Sequence, residues 1–153
     1  MEPYSIYLHI PFCIHRCAYC DFNTYAGIEA LMPDYVQALC QEIHLAGVAA
    51  KAHNAGAKVT VHTVFFGGGT PSLLPIADLE KIIRQISEKF SLLDNSEITL
   101  EANPGTVSLD FLRGLHALGI NRLSLGMQSA HPSDLMVLER QHQLEDVVQA
   151  VRW

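Results

Sequence analysis

The feature that most limits how this chain can fold is a repeated change of hydrophobic period. Strand-like apolar runs give way to helical spacing and then return, four times in order. Tyr4–Ile10 is rich in β-branched and aromatic residues and ends at Pro11, which suits a strand end. After residues 11–25, a loop bearing cysteines, Pro33 can start a helix, and Tyr35, Val36, Leu39, Cys40 and Ile43 recur at helical spacing until Asn54 and Gly56 break it. Residues 59–66 read as a buried strand closed by Gly67, Gly68 and Gly69, and Pro75 opens a helix with Ile76, Leu79, Ile82, Ile83, Ile86 and Phe90 on one face. Residues 97–102 are a third strand, stopped at Asn103, Pro104 and Gly105. Ser108 is then placed to cap a helix bearing Phe111, Leu112, Leu115 and Leu118, which Gly119 ends. Residues 121–127 give a fourth strand, Pro132 and Ser133 start a short helix, and residues 144–153 are helical to the last residue.

Strands alternating with helices predict a parallel α/β sheet covered by helices. The pattern does not separate an open sheet from a barrel. Its 153 residues, 49% hydrophobic and 17% charged, suffice for one domain with a core. Because an amphipathic stretch runs to the end without a cap, residues 1–153 are expected to be the N-terminal portion of a longer chain, with about four βα units. A net charge of −6 with scattered lysines and arginines argues against a nucleic-acid surface. The first residues lack a basic leader, and no run approaches the roughly 18 apolar residues of a membrane span, so a cytoplasmic protein is expected.

In parallel βα folds, ligands sit at the carboxyl ends of the strands. Here those ends carry the unusual residues. Cys13, Cys17 and Cys20 follow the first strand in a C-x3-C-x2-C array. Such clustering in a cytosolic chain favours metal or redox chemistry over bridges, and thiolates are ligands for soft metals. On spacing alone the array fits three corners of an iron–sulfur cubane, a zinc site completed by His9 or His15, or three buried thiols. Cys40, on a helix, reads as a small buried hydrophobe.

Gly67 to Thr70 follow the second strand. They admit close approach of a ligand and are expected to present successive amide donors to a carboxylate or phosphate, unless they form only a tight turn. The G-K-[ST] ending of a P-loop is missing. Glu101, ending the third strand, can accept from ribose hydroxyls or stand as a solvated charge. Gln128 beyond the fourth strand offers a donor and an acceptor, and Arg140 can pair with a carboxylate; each also reads as a surface residue. Of the eight histidines only His9 and His15 lie beside the cysteines, where packing or support of a ligand is the expected role, and no serine–histidine–acid arrangement is discernible.

Residues 7–22 (YLHIPFCIHRCAYCDF), the GGGTPS stretch, Glu101 with Ala102, Asn103 and Pro104, and residues 122–128 (RLSLGMQ) together resemble, in order, the motifs of radical S-adenosylmethionine (SAM) proteins of the oxygen-independent coproporphyrinogen III oxidase group. The resemblance runs from about Tyr7 to Arg140. It implies a partial (β/α)6 barrel, of which this chain holds the N-terminal part. It also implies a [4Fe–4S] cluster on Cys13, Cys17 and Cys20, with SAM chelating the open iron through its amino and carboxylate groups. By the same resemblance Tyr7, Gly68, Gly69, Thr70, Glu101, Gln128 and Arg140 contact SAM, and Tyr19 lies near the adenine. One electron from the cluster would cleave SAM to methionine and a 5′-deoxyadenosyl radical, the protein supplying orientation and dryness.

True oxidases of this group carry a fourth cysteine two positions after the third, where this chain has Phe22. In that respect it resembles the HemW-type heme chaperones, which bind heme and pass it to acceptor proteins. That likeness implies heme as cargo, heme-acceptor proteins and an electron donor as partners, transient membrane contact through acceptors, and no nucleic acid. The alternative is a coproporphyrinogen oxidase. No residue is assigned a catalytic role, and the heme ligands fall outside the sequence.

Overall fold

The computed structural model describes residues 3–153; Met1 and Glu2, part of the stretch read for a leader, lie outside the described residues. Four long or central strands form one parallel sheet: β1 (Tyr4–Ile10), β4 (Thr60–Gly68), β5 (Ser91–Ala102) and β6 (Arg122–Leu125), in the order β1-β4-β5-β6. Two short strands, β2 (Phe12–Cys13) and β3 (Tyr25–Ala26), pair with each other. The helices are α1 (Met32–His53), α2 (Ile76–Lys89), α3 (Leu109–Ala117), α4 (Pro132–Val137) and α5 (Leu144–Arg152).

Strand order follows chain order without reversal, and α1 packs on α2 and α2 on α3. Successive crossovers therefore stay on one side of the sheet, as in a segment of a barrel and unlike a doubly wound sheet. The core lies in that single layer. Ile10, Val61, Phe66 and Leu100 from the strands are fully buried against Leu79, Ile82 and Ile86 of α2. This is the face that the spacing of Leu79, Ile82 and Ile86 predicts. Ser108 caps α3 by accepting from the Phe111 amide, and Gly119 follows that helix with φ of 87°.

Three boundaries differ from the sequence expectation. β4 runs on through Gly67 and Gly68, which pair with His9 and Ile10 of β1. β5 begins at Ser91 rather than at residue 97, because Ser91 and Leu92 already pair with Thr60 and Val61 before the register shifts. Asp94 and Asn95 at that irregularity look like turn residues in sequence, and only the neighbouring strand reveals the extension. β6 is shorter than residues 121–127. The Asn121 side chain there replaces ladder contacts, accepting from Ile98 N–H (2.9 Å) and donating to the Ser96 carbonyl (2.8 Å).

Candidate functional site

A cleft of about 610 Å³ opens at the carboxyl ends of the strands. It is lined by Cys13, Tyr19, Cys20 and Phe22 of the cysteine loop, Gly68, Gly69 and Thr70 after β4, Glu101 and Asn103 after β5, and Gly126 and Gln128 after β6. Arg140, Gln141 and His142 close it from the segment joining α4 to α5. Four strand ends thus do meet, as their chemistry suggests. Tyr7 lies outside this lining: it is largely exposed, its ring stacks on Phe65 (6.1 Å), and its hydroxyl meets His9 Nδ1 at 3.1 Å. Burial, and then the charge of Glu101, push its ionisation above the usual range.

The cysteine loop is closed at its base. Tyr25 N–H donates to the Pro11 carbonyl (2.8 Å) beside the β2–β3 pair, and His9 Nε2 donates to the Asn23 carbonyl (2.9 Å). Each thiol has a polar neighbour. Thr70 Oγ1 donates to Cys13 Sγ (3.7 Å), Cys20 Sγ meets Thr24 Oγ1 (3.6 Å), and Arg140 Nη1 donates to Cys17 Sγ (3.4 Å). Polar neighbours of this kind can support the sulfur ligands of a metal. Cys17 is not among the residues lining the cleft, but Arg140, which is, bonds to its sulfur. All four cysteines are free thiols; Cys40 is half-buried against the core, which pushes its thiol up.

The glycine stretch does not present a run of open amides. Gly68 N–H donates to Glu101 Oε2 (3.2 Å), Gly69 N–H to the Ile10 carbonyl (2.7 Å) and Thr70 N–H to the Phe12 carbonyl (2.8 Å). The expectation of successive free donors is therefore corrected: the Glu101 carboxylate takes the first, and backbone carbonyls of the first strand and the segment after it take the other two. The glycines are needed for space instead. A Cβ on Gly69 would lie 2.6 Å from the Phe12 carbonyl oxygen and 3.0 Å from Cys13 Sγ. A Cβ on Gly68, whose φ is 115°, would lie 2.7 Å from the His9 ring.

Arg140 is not the surface residue its surroundings in sequence allow. Its Nη2 donates to the Gly126 carbonyl (3.0 Å), its Nη1 also reaches the Tyr19 hydroxyl (3.4 Å), and its Nε is buried without a partner. Burial raises the ionisation of the Tyr19 phenol, as does nearby Cys17, against the pull of Arg140. His142, which sequence reasoning missed, is 1% exposed, and Nε2 donates to the Met127 carbonyl (3.0 Å) while Nδ1 is buried and unpartnered. Burial holds its ionisation below the usual 6.5. Flanked by Gln141 and Gln143, it carries no apolar signal that could have marked it as internal.

Residues 7–153 match the Radical SAM superfamily. The chain belongs to that superfamily. Membership implies a [4Fe–4S] cluster and SAM. Among curated relatives, the chain is 42% identical to the "Heme chaperone HemW" of Synechocystis sp. and 36% identical to that of Escherichia coli, each over 99% of this chain. It spans 36% and 39% of those proteins, a little over a third of their length. Among solved structures, "Coproporphyrinogen III oxidase (HemN) from Escherichia coli is a Radical SAM enzyme" is matched with a TM-score of 0.86 at 31% identity, over 98% of this chain and 33% of that one.

The residues of this radical SAM chain suit the cofactors its superfamily implies. The two histidines beside the cysteines are engaged elsewhere, His9 with Tyr7 and Asn23 and His15 with Glu139 (3.1 Å), so neither is free to complete a zinc site. A cubane asks for something else: three soft thiolates, each on its own corner, beside an open side. Three thiols with separate polar neighbours meet that demand. The orphaned Arg140 Nε, and the Gly126 position where a Cβ would crowd Arg140 Nη2 (3.3 Å) and Gln128 Nε2 (3.4 Å), leave polar groups and room for a bound molecule.

Proposed function

We propose that this chain is the cluster- and SAM-binding part of a heme chaperone of the HemW type, and that residues 1–153 form the N-terminal portion, about four βα units, of its radical SAM core. The observation that carries the reading is Phe22. It sits at the cleft, two-thirds exposed, at the position where oxidases of the group carry a fourth cysteine. The names of the curated relatives agree with it.

In this reading Cys13, Cys17 and Cys20 hold three irons, and the cluster with SAM, when bound, supplies one-electron chemistry. The chain's own groups bind and orient. Glu101 has one oxygen on the Gly68 amide, so the other is the one left for a ribose hydroxyl. Gly68, Gly69 and Thr70 form a close wall that excludes water. Gln128 supplies a donor and an acceptor from the far side, and Tyr19 an aromatic face fixed by Arg140. Arg140 reaches both the Cys17 sulfur and the Gly126 carbonyl, so it joins the metal side of the cleft to the SAM side. Tyr7 would act from the rim. Heme is the cargo, heme-acceptor proteins and an electron donor are the partners, and any membrane contact comes through acceptors. No helix among the described residues is long and apolar enough to cross a membrane.

The likeness to the solved oxidase favours a second reading, an oxygen-independent coproporphyrinogen III oxidase. One experiment separates them. Full-length protein, reconstituted without oxygen, is titrated with heme and assayed with coproporphyrinogen III, SAM and a reductant. The chaperone reading expects stoichiometric heme binding and no protoporphyrinogen; robust conversion, or no heme binding, sinks it. In the same preparation Cys13→Ser, Cys17→Ser and Cys20→Ser should each abolish the cluster signal in electron paramagnetic resonance, and a wild-type signal unmoved by SAM would refute the open iron.

A further inference from the structure

The segment 139–142 runs between two loops of the cleft and bonds to both. Glu139, at φ of 54°, takes His15 of the cysteine loop; Arg140 takes Cys17 and Tyr19 of the same loop and the Gly126 carbonyl after β6; His142 takes the Met127 carbonyl. The last contact falls on a strained turn. Ser129 N–H donates back to the Met127 carbonyl at 2.8 Å, closing a three-residue turn whose central residue is Gln128, at φ of 63°. A side-chain-bearing residue in that conformation persists only where its surroundings hold it. The carbonyl that closes the turn is the one that receives His142 Nε2, so both its lone pairs are used.

We propose that His142 is a positioning residue for this cleft: by donating from Nε2 to the Met127 carbonyl it holds Gln128 in its left-handed turn, facing the cleft, and anchors the segment from which Arg140 reaches the cysteine loop. It touches neither cluster nor SAM in this role. The proposal rests on the reading of the cleft as a SAM site for its effect on binding, but not for its effect on the turn. A glutamine at 142 carries an amide N–H at the reach of Nε2. An asparagine is too short, and a phenylalanine fills the space without a donor.

Full-length wild type, H142Q, H142N and H142F are reconstituted anaerobically and compared by iron content, by calorimetric SAM affinity, and by hydrogen exchange over residues 126–130 without SAM. Iron content should be the same in all four. H142N and H142F should bind SAM about tenfold more weakly and exchange faster at Ser129, while H142Q stays near wild type in both. Equal exchange at Ser129 in wild type, H142N and H142F overturns the proposal, as does H142Q behaving like H142F. If H142F does not fold, the H142Q and H142N pair decides by the same criteria. Wild type that fails to bind SAM, with Ser129 exchange still following the donor, removes the SAM reading and supports the hold on the turn.

Discussion

A methyl group at Gly69 has nowhere to go: the nearest atoms are the Phe12 carbonyl oxygen and Cys13 Sγ, both fixed by the backbone of β2 and its neighbours. Gly69→Ala should therefore cost about 1–3 kcal/mol in denaturant unfolding, and because the strain falls on a thiol, iron content after reconstitution should drop with it. His142 gives a second prediction at this scale. Its folded ring takes a proton only below the ordinary 6.5, since burial disfavours the charge and Arg140 repels it, against the Met127 carbonyl and Asp146. Between the two values the unfolded chain binds more protons, so the stability from this residue is complete above 6.5 and is lost as pH falls. The thermal midpoint of wild type should decline more steeply below pH 6.5 than that of H142Q; parallel pH profiles would reject this. Cys13, Cys20, Glu101 and Gln128 stand out in sequence as residue types unusual at strand ends, and all four line the cleft. His142 does not stand out, because a polar neighbourhood hides burial imposed by a distant loop.

At the scale of elements, β5 depends on support that its own sequence does not announce. Ser96 Oγ donates to the Val61 carbonyl across the register shift, and the Asn121 side chain satisfies two β5 backbone groups before β6 takes over. Asn121→Ala leaves both of those groups to solvent and should lower stability by about 1–2 kcal/mol, read as a shifted urea midpoint with an unchanged slope. The existence of four strands and of α1, α2, α3 and α5 followed from period alone. The extra length of β4 and β5 did not: the glycines are locally poor strand formers kept extended by pairing with β1, and Asp94 with Asn95 lie at a register shift between paired stretches of β5 on β4. Backbone carbonyls of the first strand and the segment after it consume the Gly69 and Thr70 amides, so an inference about their availability needed those neighbours.

Across the whole molecule, the sheet order β1-β4-β5-β6 gathers segments from residues 13 to 142 onto one rim. The alternation of periods anticipated this rim. It could not choose between barrel segment and open sheet, because both share it; the side on which crossovers run is a property of long-range packing. The closed base of the cysteine loop has a consequence for loading. Both loop ends are tied by protein hydrogen bonds, Tyr25 to Pro11 and His9 to Asn23, and these limit the span over which the thiols can spread. Closing the loop at its base removes part of the conformational entropy that a flexible chain would lose on capturing a cluster. Assembly of the cluster should then be limited by encounter: its observed rate should keep rising with iron and sulfide concentration, where a loop that had to fold first would impose a plateau.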